Sequence, residues 1–232
     1  QEVNHQIGGE LLIGCSTSAG RYLLPILLSK FQREYPAVHP SVKVLSRDTV
    51  VERLINRMIP IGVSSKLIEH RDIVSMPFFE DRIVLIVPPN HPWVEYGHAL
   101  PSDLTDQPII KCEETTGTCE TVMEGLKQYQ ITVDNLNVVM ELGSMEAVAM
   151  SVERGVGIAF VSEMVAARGL ALGLIKKVEV DGLDLRRKIH MARHIGIPFT
   201  RAQSLFWDFV KSQYEKINNE IWESLVNFEQ VA

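Results

Sequence analysis

Hydroxyl-bearing residues occur in four short clusters, each where an apolar run gives way to a turn or to helical spacing. The clusters are Ser16-Thr17-Ser18, Thr49, Ser64-Ser65 and Thr116-Gly117-Thr118. A helix N-terminus presents free N–H groups and a partial positive charge, and hydroxyls add donors without adding charge. This pattern therefore suits a small anion or a carboxylate. Ser and Thr are also preferred helix caps, so ordinary capping is the alternative for each single cluster.

Signatures of catalysis and of cofactor binding are weak. The run Gly14-Cys15-Ser16-Thr17-Ser18 lacks the second glycine of a nucleophile elbow, so we treat Ser16 as a hydrogen-bond donor. Gly155-Val156-Gly157 lacks the third glycine of a dinucleotide loop. Cys112 and Cys119 have the wrong spacing for a zinc pair. We therefore expect a protein that is not an enzyme and needs no cofactor or metal.

Composition restricts the class of protein further. The 232 residues carry 23 Lys and Arg against 29 Asp and Glu, a net charge of −6 that argues against nucleic-acid binding by this stretch alone. With 46% hydrophobic residues the chain can build a core. Three cysteines cannot form a closed disulfide framework, and no apolar run is long enough to span a membrane. We expect a soluble cytoplasmic protein with no membrane partner.

The elements that must position the clusters alternate as in β-α units. Strands are predicted over residues 11–15, 42–45, 61–63, 73–79 and 83–87, with a helix over 21–35 and a second helix that Thr49 would cap. After a Pro-rich break at 88–92 the pattern restarts, with strands over 108–110, 138–140 and 158–161 and helices near 118–129 and 145–152. Gly155 is expected to stop the last of these helices. Two such series predict two similar α/β lobes with mainly parallel sheets.

Helical spacing also covers residues 200–228, a long stretch for one globular helix. Its first half is expected to cover a lobe. The second half, from Lys211, has a thinner apolar stripe and is open to three interpretations: a surface helix that frays, a segment that packs on a partner, or in part an added tail.

Several ordered motifs resemble the effector-binding domain of LysR-type transcriptional regulators, over about residues 8–210. The motifs are Gly9-Glu10-Leu11-Leu12-Ile13-Gly14, Tyr22-Leu23-Leu24-Pro25, Phe31-Gln32-Arg33-Glu34-Tyr35-Pro36, Pro77-Phe78-Phe79-Glu80-Asp81, Asn90-His91-Pro92, Glu141-Leu142-Gly143-Ser144-Met145-Glu146-Ala147-Val148 and Gly155-Val156-Gly157-Ile158-Ala159-Phe160-Val161. No single motif is diagnostic, but their order and spacing are specific together.

The resemblance implies an α/β fold with two Rossmann-like lobes, similar to type 2 periplasmic binding proteins, and a ligand cleft between the lobes. Lobe I would comprise residues 1–88 with 194–232, and lobe II residues 89–193. The domain would sense a small anionic metabolite, a carboxylate or an inorganic anion, and transmit a lobe rearrangement to a winged helix-turn-helix that this chain does not contain. DNA would be bound only through that part. The alternative is a solute-binding protein of a transporter.

The resemblance also implies where the effector is held and how the protein assembles. Family contacts fall on the same clusters that the capping argument found, in the first strand-to-helix turn, at the second helix start, after the third strand and at the first helix start of lobe II. One departure is that Arg57 stands for a usual glycine and Pro60 for a usual aspartate, so the turn there is expected to be rebuilt. Members pair through their first helix, which predicts a homodimer or a higher homo-oligomer.

Overall fold

The computed structural model describes residues 7–16, 19–114, 116–212, 216 and 219. Within this part of the chain ten strands alternate with seven α-helices. The strands are β1 (Gly9–Ser16), β2 (Val38–Leu45), β3 (Ile61–Ser64), β4 (Ile73–Val87), β5 (His98–Ala99), β6 (Ile109–Cys112), β7 (Val138–Leu142), β8 (Ala159–Ser162), β9 (Lys176–Val180) and β10 (Leu185–His194). The helices are α1 (Leu24–Glu34), α2 (Arg47–Ile55), α3 (Trp93–Tyr96), α4 (Gly117–Leu126), α5 (Met145–Glu153), α6 (Glu163–Ala171) and α7 (Arg201–Ser212).

The described residues divide into two compact units that the chain joins through β4 and β10. The first unit comprises the residues up to Glu80 and those from Lys188 onward, and the second runs from Asp81 to Arg187. The boundaries drawn from the sequence, after residues 88 and 193, lie eight and six residues further along the chain, just beyond the end of β4 and one residue before the end of β10. The division between the two units falls within β4 and β10, because each of these strands contributes apolar side chains to both cores.

The first unit is built on parallel strands. β1 pairs in parallel with β2 on one side and with β3 on the other, and β10 joins β3 antiparallel. Helix α1 follows a π-helical turn at Ala19–Leu23 and buries its leucines together with Phe31. The ring of Phe31 packs edge-on against Phe206 and Phe209 of α7, with centroids 5.2 and 5.3 Å away. Helices α1 and α7 thus share one aromatic core.

The second unit has a mixed sheet and a smaller parallel one. β4 pairs antiparallel with both β8 and β9, and β5 pairs in parallel with β9. β6 and β7 form a separate parallel pair, which an isolated bridge from Ile109 to Ile158 links to the start of β8. The unit's core is aliphatic, with Leu126, Leu104 and Val87 fully buried. The expectation of mainly parallel pairing therefore holds for the β6–β7 pair but not for the sheet around β4.

Several elements differ from the sequence-based prediction. Residues 73–79 and 83–87 belong to one 15-residue strand, β4, in which Asp81, between the two predicted segments, is buried. Helix α2 begins two residues before Thr49, with Ser46 as its cap, so the prediction that Thr49 precedes the helix is wrong. Helix α6 and strand β9 were not predicted. The predicted helix over 200–228 is seen as α7, and most of its second half lies outside the described residues.

The structure also shows the apolar stripe of the first predicted helix and the turn at Arg57. Leu23, Leu24, Leu27, Leu28 and Phe31 are all buried, so the stripe serves the core. Arg57 adopts a left-handed backbone with φ of 60°, the conformation that glycine usually provides. The turn therefore keeps a glycine-like path with arginine in it. None of the described helices is both long and apolar enough to cross a membrane.

Candidate functional site

The carboxyl ends of three parallel strands lie level at one edge of the first unit. Ser16, the last residue of β1, pairs in register with Leu45, the last residue of β2. On the other side Cys15 pairs with Val63, so Ser16 and Ser64 come next to each other at the same edge. The structure thus brings the first and third hydroxyl clusters together, as parallel pairing requires. Thr17 and Ser18 lie outside the described residues.

The second hydroxyl cluster joins this edge through a neighbour of the predicted residue. Ser46 follows Leu45 directly and caps α2 by accepting a hydrogen bond from the backbone N–H of Thr49 at 3.2 Å. The two hydroxyl oxygens of Ser46 and Thr49 are 2.7 Å apart. Thr49 therefore lies in the first turn of the helix, and its hydroxyl forms a pair with the capping hydroxyl.

The third cluster differs in exposure between its two residues. Ser64 is 1% exposed and its hydroxyl accepts a hydrogen bond from the backbone N–H of Lys66 at 3.1 Å. Ser65 is partly exposed. Of these two hydroxyls, that of Ser65 is the one accessible to a solute.

A similar edge exists in the second unit. Cys112 ends β6 and pairs with Leu142, the last residue of β7, and each strand is followed by a helix. Thr116 caps α4 by accepting from the backbone N–H of Cys119 at 3.2 Å, as the sequence predicts. Gly117 is partly exposed in the first turn, whereas Thr118 is 1% exposed and faces the core. Thr116 and the N–H groups of this turn are thus the accessible donors here.

Two thiols that the sequence offered only as a mis-spaced zinc pair lie at this same edge. The Cys112 sulfur is 2.9 Å from the Thr116 hydroxyl oxygen. The interaction between the two thiols lowers the pKa of Cys112 and raises that of Cys119. Spacing alone gave no signal for this pair, because its proximity depends on a strand end meeting the first turn of the next helix.

A lysine beside this edge is already neutralised. Lys111 Nζ is 3.0 Å from a carboxylate oxygen of Glu114 and 3.0 Å from one of Glu141, and its side chain is 14% exposed. Burial lowers the pKa of Lys111, but the hydrogen bonds from the two carboxylates outweigh it and raise the pKa overall. The ammonium group is therefore engaged within the protein.

A buried charge network in the second unit was missed by the sequence analysis. Asp81 is fully buried and lies 2.7 Å from Arg187 Nη2, and it accepts a hydrogen bond from the Ser162 hydroxyl at 2.7 Å. Burial raises the pKa of the Asp81 carboxyl, while the charge of Arg187 and the hydrogen bonds of Ser162 and Arg187 oppose that rise. Ser162 also caps α6 by accepting from Met164 N–H. The one available signal was an acidic residue between two apolar strand segments.

Cavities among the described residues lie within each unit. One of about 540 Å³ opens among β4, β9 and β10 of the second unit, and one of about 430 Å³ in the first unit is lined by Gly9, Arg57 and Gln203. The described residues of the four hydroxyl clusters line neither of them. A third cavity, of about 40 Å³, is lined by Thr118 and by both Cys112 and Cys119. Apart from Thr118, the described residues of the hydroxyl clusters thus lie at strand ends and not in the walls of these cavities.

The arrangement of the side chains bears on metal binding and on nucleophilic chemistry. In the ranges that the structure describes, no group of three or more His, Cys, Asp and Glu side chains is arranged to hold a metal ion. The hydroxyls of Ser46, Ser64 and Thr116 accept hydrogen bonds from backbone N–H groups in helix caps and turns. What the two edges offer chemically is hydrogen bonding to a small solute.

Comparison with known proteins identifies the family. The LysR substrate binding domain family matches residues 4–215 of this chain. An uncharacterized HTH-type transcriptional regulator of Methanocaldococcus jannaschii is 32% identical over 202 residues, covering 87% of this chain and 68% of that protein. The alternative of a transporter's solute-binding protein finds no support in this relative, which is named as a regulator.

Solved structures show the same fold. The CcmR regulatory domain of Synechocystis PCC6803, in complex with 2-PG, superposes with a TM-score of 0.80 at 24% identity, covering 90% of this chain and 99% of that one. The effector binding domain of QuiR, in complex with shikimate, gives 0.78 at 19% identity over the same shares. The fold is thus that of the type 2 periplasmic-binding-like effector domains. Together with the family match, this shows that the chain belongs to the LysR substrate binding domain family.

Proposed function

We propose that this chain is the effector-sensing domain of a LysR-type regulator and that its ligand is a small anion or a carboxylate. The observation that carries the proposal is the level edge of the first unit, where Ser16 ends β1 and where Ser46 and Ser65 follow the two parallel strands beside it. Open α/β sheets bind their ligands at the carboxyl ends of their strands. The edge at Thr116 and Gly117 supplies the same kind of donors in the second unit.

Charge supports an anionic ligand. The residues of these edges present hydroxyls and the N–H groups of the first turns of α2 and α4, whose helix dipoles favour negative charge. Lys111, the cation next to the second edge, is already bound to two carboxylates. The hydrogen bonds to the ligand would therefore come from neutral donors. One related domain is in complex with 2-PG and another with shikimate, a carboxylate in keeping with such donors.

We further infer a cytoplasmic protein that acts as a homodimer or larger homo-oligomer and reaches DNA through a part outside this domain. The relative in Methanocaldococcus jannaschii is named for a helix-turn-helix, and this chain spans 68% of its length. Tyr22, in the π-helical turn before α1, and Ile26 on α1 are partly exposed and would give a second copy an apolar contact there. Sedimentation of the purified chain at micromolar concentration is expected to show a species larger than the monomer, and a monomer would contradict this assembly.

The ligand proposal is tested by thermal denaturation of the chain with 2-PG, shikimate and inorganic phosphate in separate titrations. A ligand at one hundred times its dissociation constant stabilises the folded state by about 2.7 kcal/mol, which raises the melting temperature measurably. We expect at least one of the three to do so. If none gives a shift at millimolar concentration, the chemistry assigned to these edges is wrong.

A matched pair of variants locates the site. Ser16→Ala removes a hydroxyl at the carboxyl edge that caps no described helix, so it should weaken binding with little change in the unliganded protein. Ser41→Ala removes an exposed hydroxyl in the middle of β2, on the same sheet but away from the edge. We expect only the first to reduce the ligand-induced shift. Equal shifts in both variants would place the ligand elsewhere.

A further inference from the structure

A cavity of about 430 Å³ in the first unit has no part in the proposed function. It lies at the amino ends of β1 and β3, opposite the edge where Ser16, Ser46 and Ser65 lie, which we call the hydroxyl edge. Its lining comes from the start of β1, from the turn before β3 and from the segment that enters α7. Its size is within the range of roughly 300–1,000 Å³ that is usual for pockets that bind small molecules.

Most of the wall of this cavity is apolar. It is lined by Leu12, Pro60, Ile197 and Pro198, together with Gly8 and Gly9. Gly9 has φ of 128°, and a Cβ there would meet no atom within 4 Å, so the space beside this glycine is open. A ligand that fills the cavity therefore needs an apolar body.

Two opposite charges line the same cavity without forming an ion pair with each other. Arg57 and Glu10 are both exposed, and neither belongs to an ion pair among the residues that the structure describes. A zwitterion carries a carboxylate and an ammonium group, so it satisfies both charges at once, whereas a simple acid or a simple amine satisfies only one. The cavity thus offers a cation, an anion and an apolar wall to a single ligand.

Arg57 is held by its backbone and by its side chain. Its backbone is left-handed with φ of 60°, a conformation in which a residue with a Cβ is destabilised relative to glycine. Its Nε lies 3.4 Å from Nε2 of His194, which is 3% exposed. Backbone strain of this kind is a reason to look for function in the side chain. Because the contact uses Nε, the two Nη groups are available to bind a carboxylate through two parallel hydrogen bonds.

The two residues that depart from the family pattern at this turn, Arg57 and Pro60, both line the cavity. A glycine at position 57 would remove the cation from the wall. An aspartate at position 60 would add a second anion to the wall that already contains Glu10. Both departures therefore make the charges of the wall balanced, which suits a zwitterion. The chemistry of this cavity is thus a property of this chain and not of its fold.

We propose that this cavity is a second ligand site, separate from the hydroxyl edge, and that it binds a small apolar amino acid as its zwitterion. The carboxylate of the amino acid binds the guanidinium of Arg57, and its ammonium group binds the carboxylate of Glu10. Its side chain packs on the apolar wall. The strand β1 extends for about 23 Å from Gly9 to Ser16, so the two sites are far apart and neither depends on the other.

Isothermal titration calorimetry of the purified chain with leucine and two of its analogues tests the class of ligand. 4-Methylpentanoate lacks the ammonium group and isoamylamine lacks the carboxylate, while both keep the apolar body. We expect leucine to bind at least about tenfold more tightly than either analogue, since each analogue loses one charge-assisted contact. An affinity for either analogue equal to that for leucine overturns the assignment of a zwitterion. The whole proposal fails if leucine gives neither a heat of binding nor a thermal shift at millimolar concentration.

Substitution of the two charged residues separates their roles. Arg57→Gly removes the guanidinium and suits the left-handed turn, so the variant should fold normally and bind leucine about tenfold more weakly or worse. Glu10→Gln should lower the affinity for leucine to that for 4-methylpentanoate, without weakening the binding of 4-methylpentanoate itself. Arg33→Ala removes an exposed cation on α1 that does not line the cavity, so it should bind leucine as the wild-type chain does. Unchanged leucine affinity in either cavity variant contradicts the site.

A carboxylate also suits the hydroxyl edge, so a last comparison separates the two sites. Ser16→Ala should leave leucine binding intact and weaken the binding of whichever of inorganic phosphate, 2-PG and shikimate stabilises the chain. Arg57→Gly should do the reverse. Leucine binding that is lost in Ser16→Ala and kept in Arg57→Gly would place leucine at the hydroxyl edge and overturn the second site. If leucine binding depends on Arg57 while none of the other three ligands binds, the proposed function fails and the second site stands.

Discussion

Two turns that connect a helix to the next strand, one in each unit, make the same demand on the backbone with different residues. After α2 the left-handed position is taken by Arg57 with φ of 60°, and after α5 it is taken by Gly155 with φ of 75°. Glycine adopts this conformation freely, whereas other L-residues give up roughly 1–2 kcal/mol there. Both turns therefore use a left-handed residue to lead the chain from the helix into the next strand. In the first unit this conformation strains the backbone, because the residue is Arg57 and not glycine.

The two units also differ in what they bury. The buried polar side chains described in the first unit are Ser64, His194 and Gln203, whereas the second unit buries a carboxylate and a guanidinium, Asp81 and Arg187. The first unit has a strained backbone turn at Arg57, whereas the stability of the second unit depends on the ion pair between Asp81 and Arg187. Each difference can be tested by a substitution.

The largest effect is expected for Arg187→Leu. The substitution leaves the fully buried carboxylate of Asp81 without its cation, which should lower the free energy of unfolding by about 3–5 kcal/mol. Urea denaturation followed by circular dichroism measures this loss. The double variant Asp81→Leu with Arg187→Leu removes both charges and should recover most of it. A loss below about 1 kcal/mol in the single variant would show that the pair is dispensable.

A smaller loss is expected for Gly155→Ala. A Cβ at this position would meet no atom within 4 Å, so the cost is that of the left-handed backbone alone. The free energy of unfolding should fall by about 1–2 kcal/mol. An unchanged urea midpoint would mean that the turn relaxes to another conformation, and the contrast between the two turns would disappear.

The smallest effect is expected for Arg57→Gly, which should raise the free energy of unfolding instead of lowering it. Glycine relieves the left-handed strain but gains entropy in the unfolded chain, so the net stabilisation should be about 0.5–1 kcal/mol. Arg57→Ala is the matched control, since it removes the contact to His194 at 3.4 Å and keeps the strain. A more stable alanine variant than glycine variant would show that the side chain, and not the backbone, is the source of strain.

Local features were predictable where one segment decides the outcome. Thr116 caps α4 and Gly155 ends α5 as the sequence indicates, because both signals depend on residues within one helical turn. The prediction for Thr49 failed by three residues, since Ser46 and Thr49 are both capable caps and the pairing of Leu45 with Ser16 decides between them. The hydroxyl edge itself was anticipated as a set, without the exposure of its members.

Features that depend on distant residues were not predictable. Asp81 reads as a break between two strands until Arg187, 106 residues later, supplies its charge partner inside β10. The thiol pair is closer in sequence, but it forms only because β6 ends where α4 begins. In both cases the contact depends on how distant or successive segments pack together. The spacing of residues along the sequence does not show this packing.

The level strand ends of the first unit have a consequence for how such domains diversify. Ser46 and Ser65 stand one position beyond the paired residues and Ser16 is the final one, while the buried apolar residues that hold the sheet together lie further back, as Leu11, Ile13 and Ile61. Substitutions at the edge can therefore change which ligand the domain recognises without disturbing the packing of the core. A single scaffold of this kind is suited to being retargeted, by evolution or by a designer building a metabolite sensor.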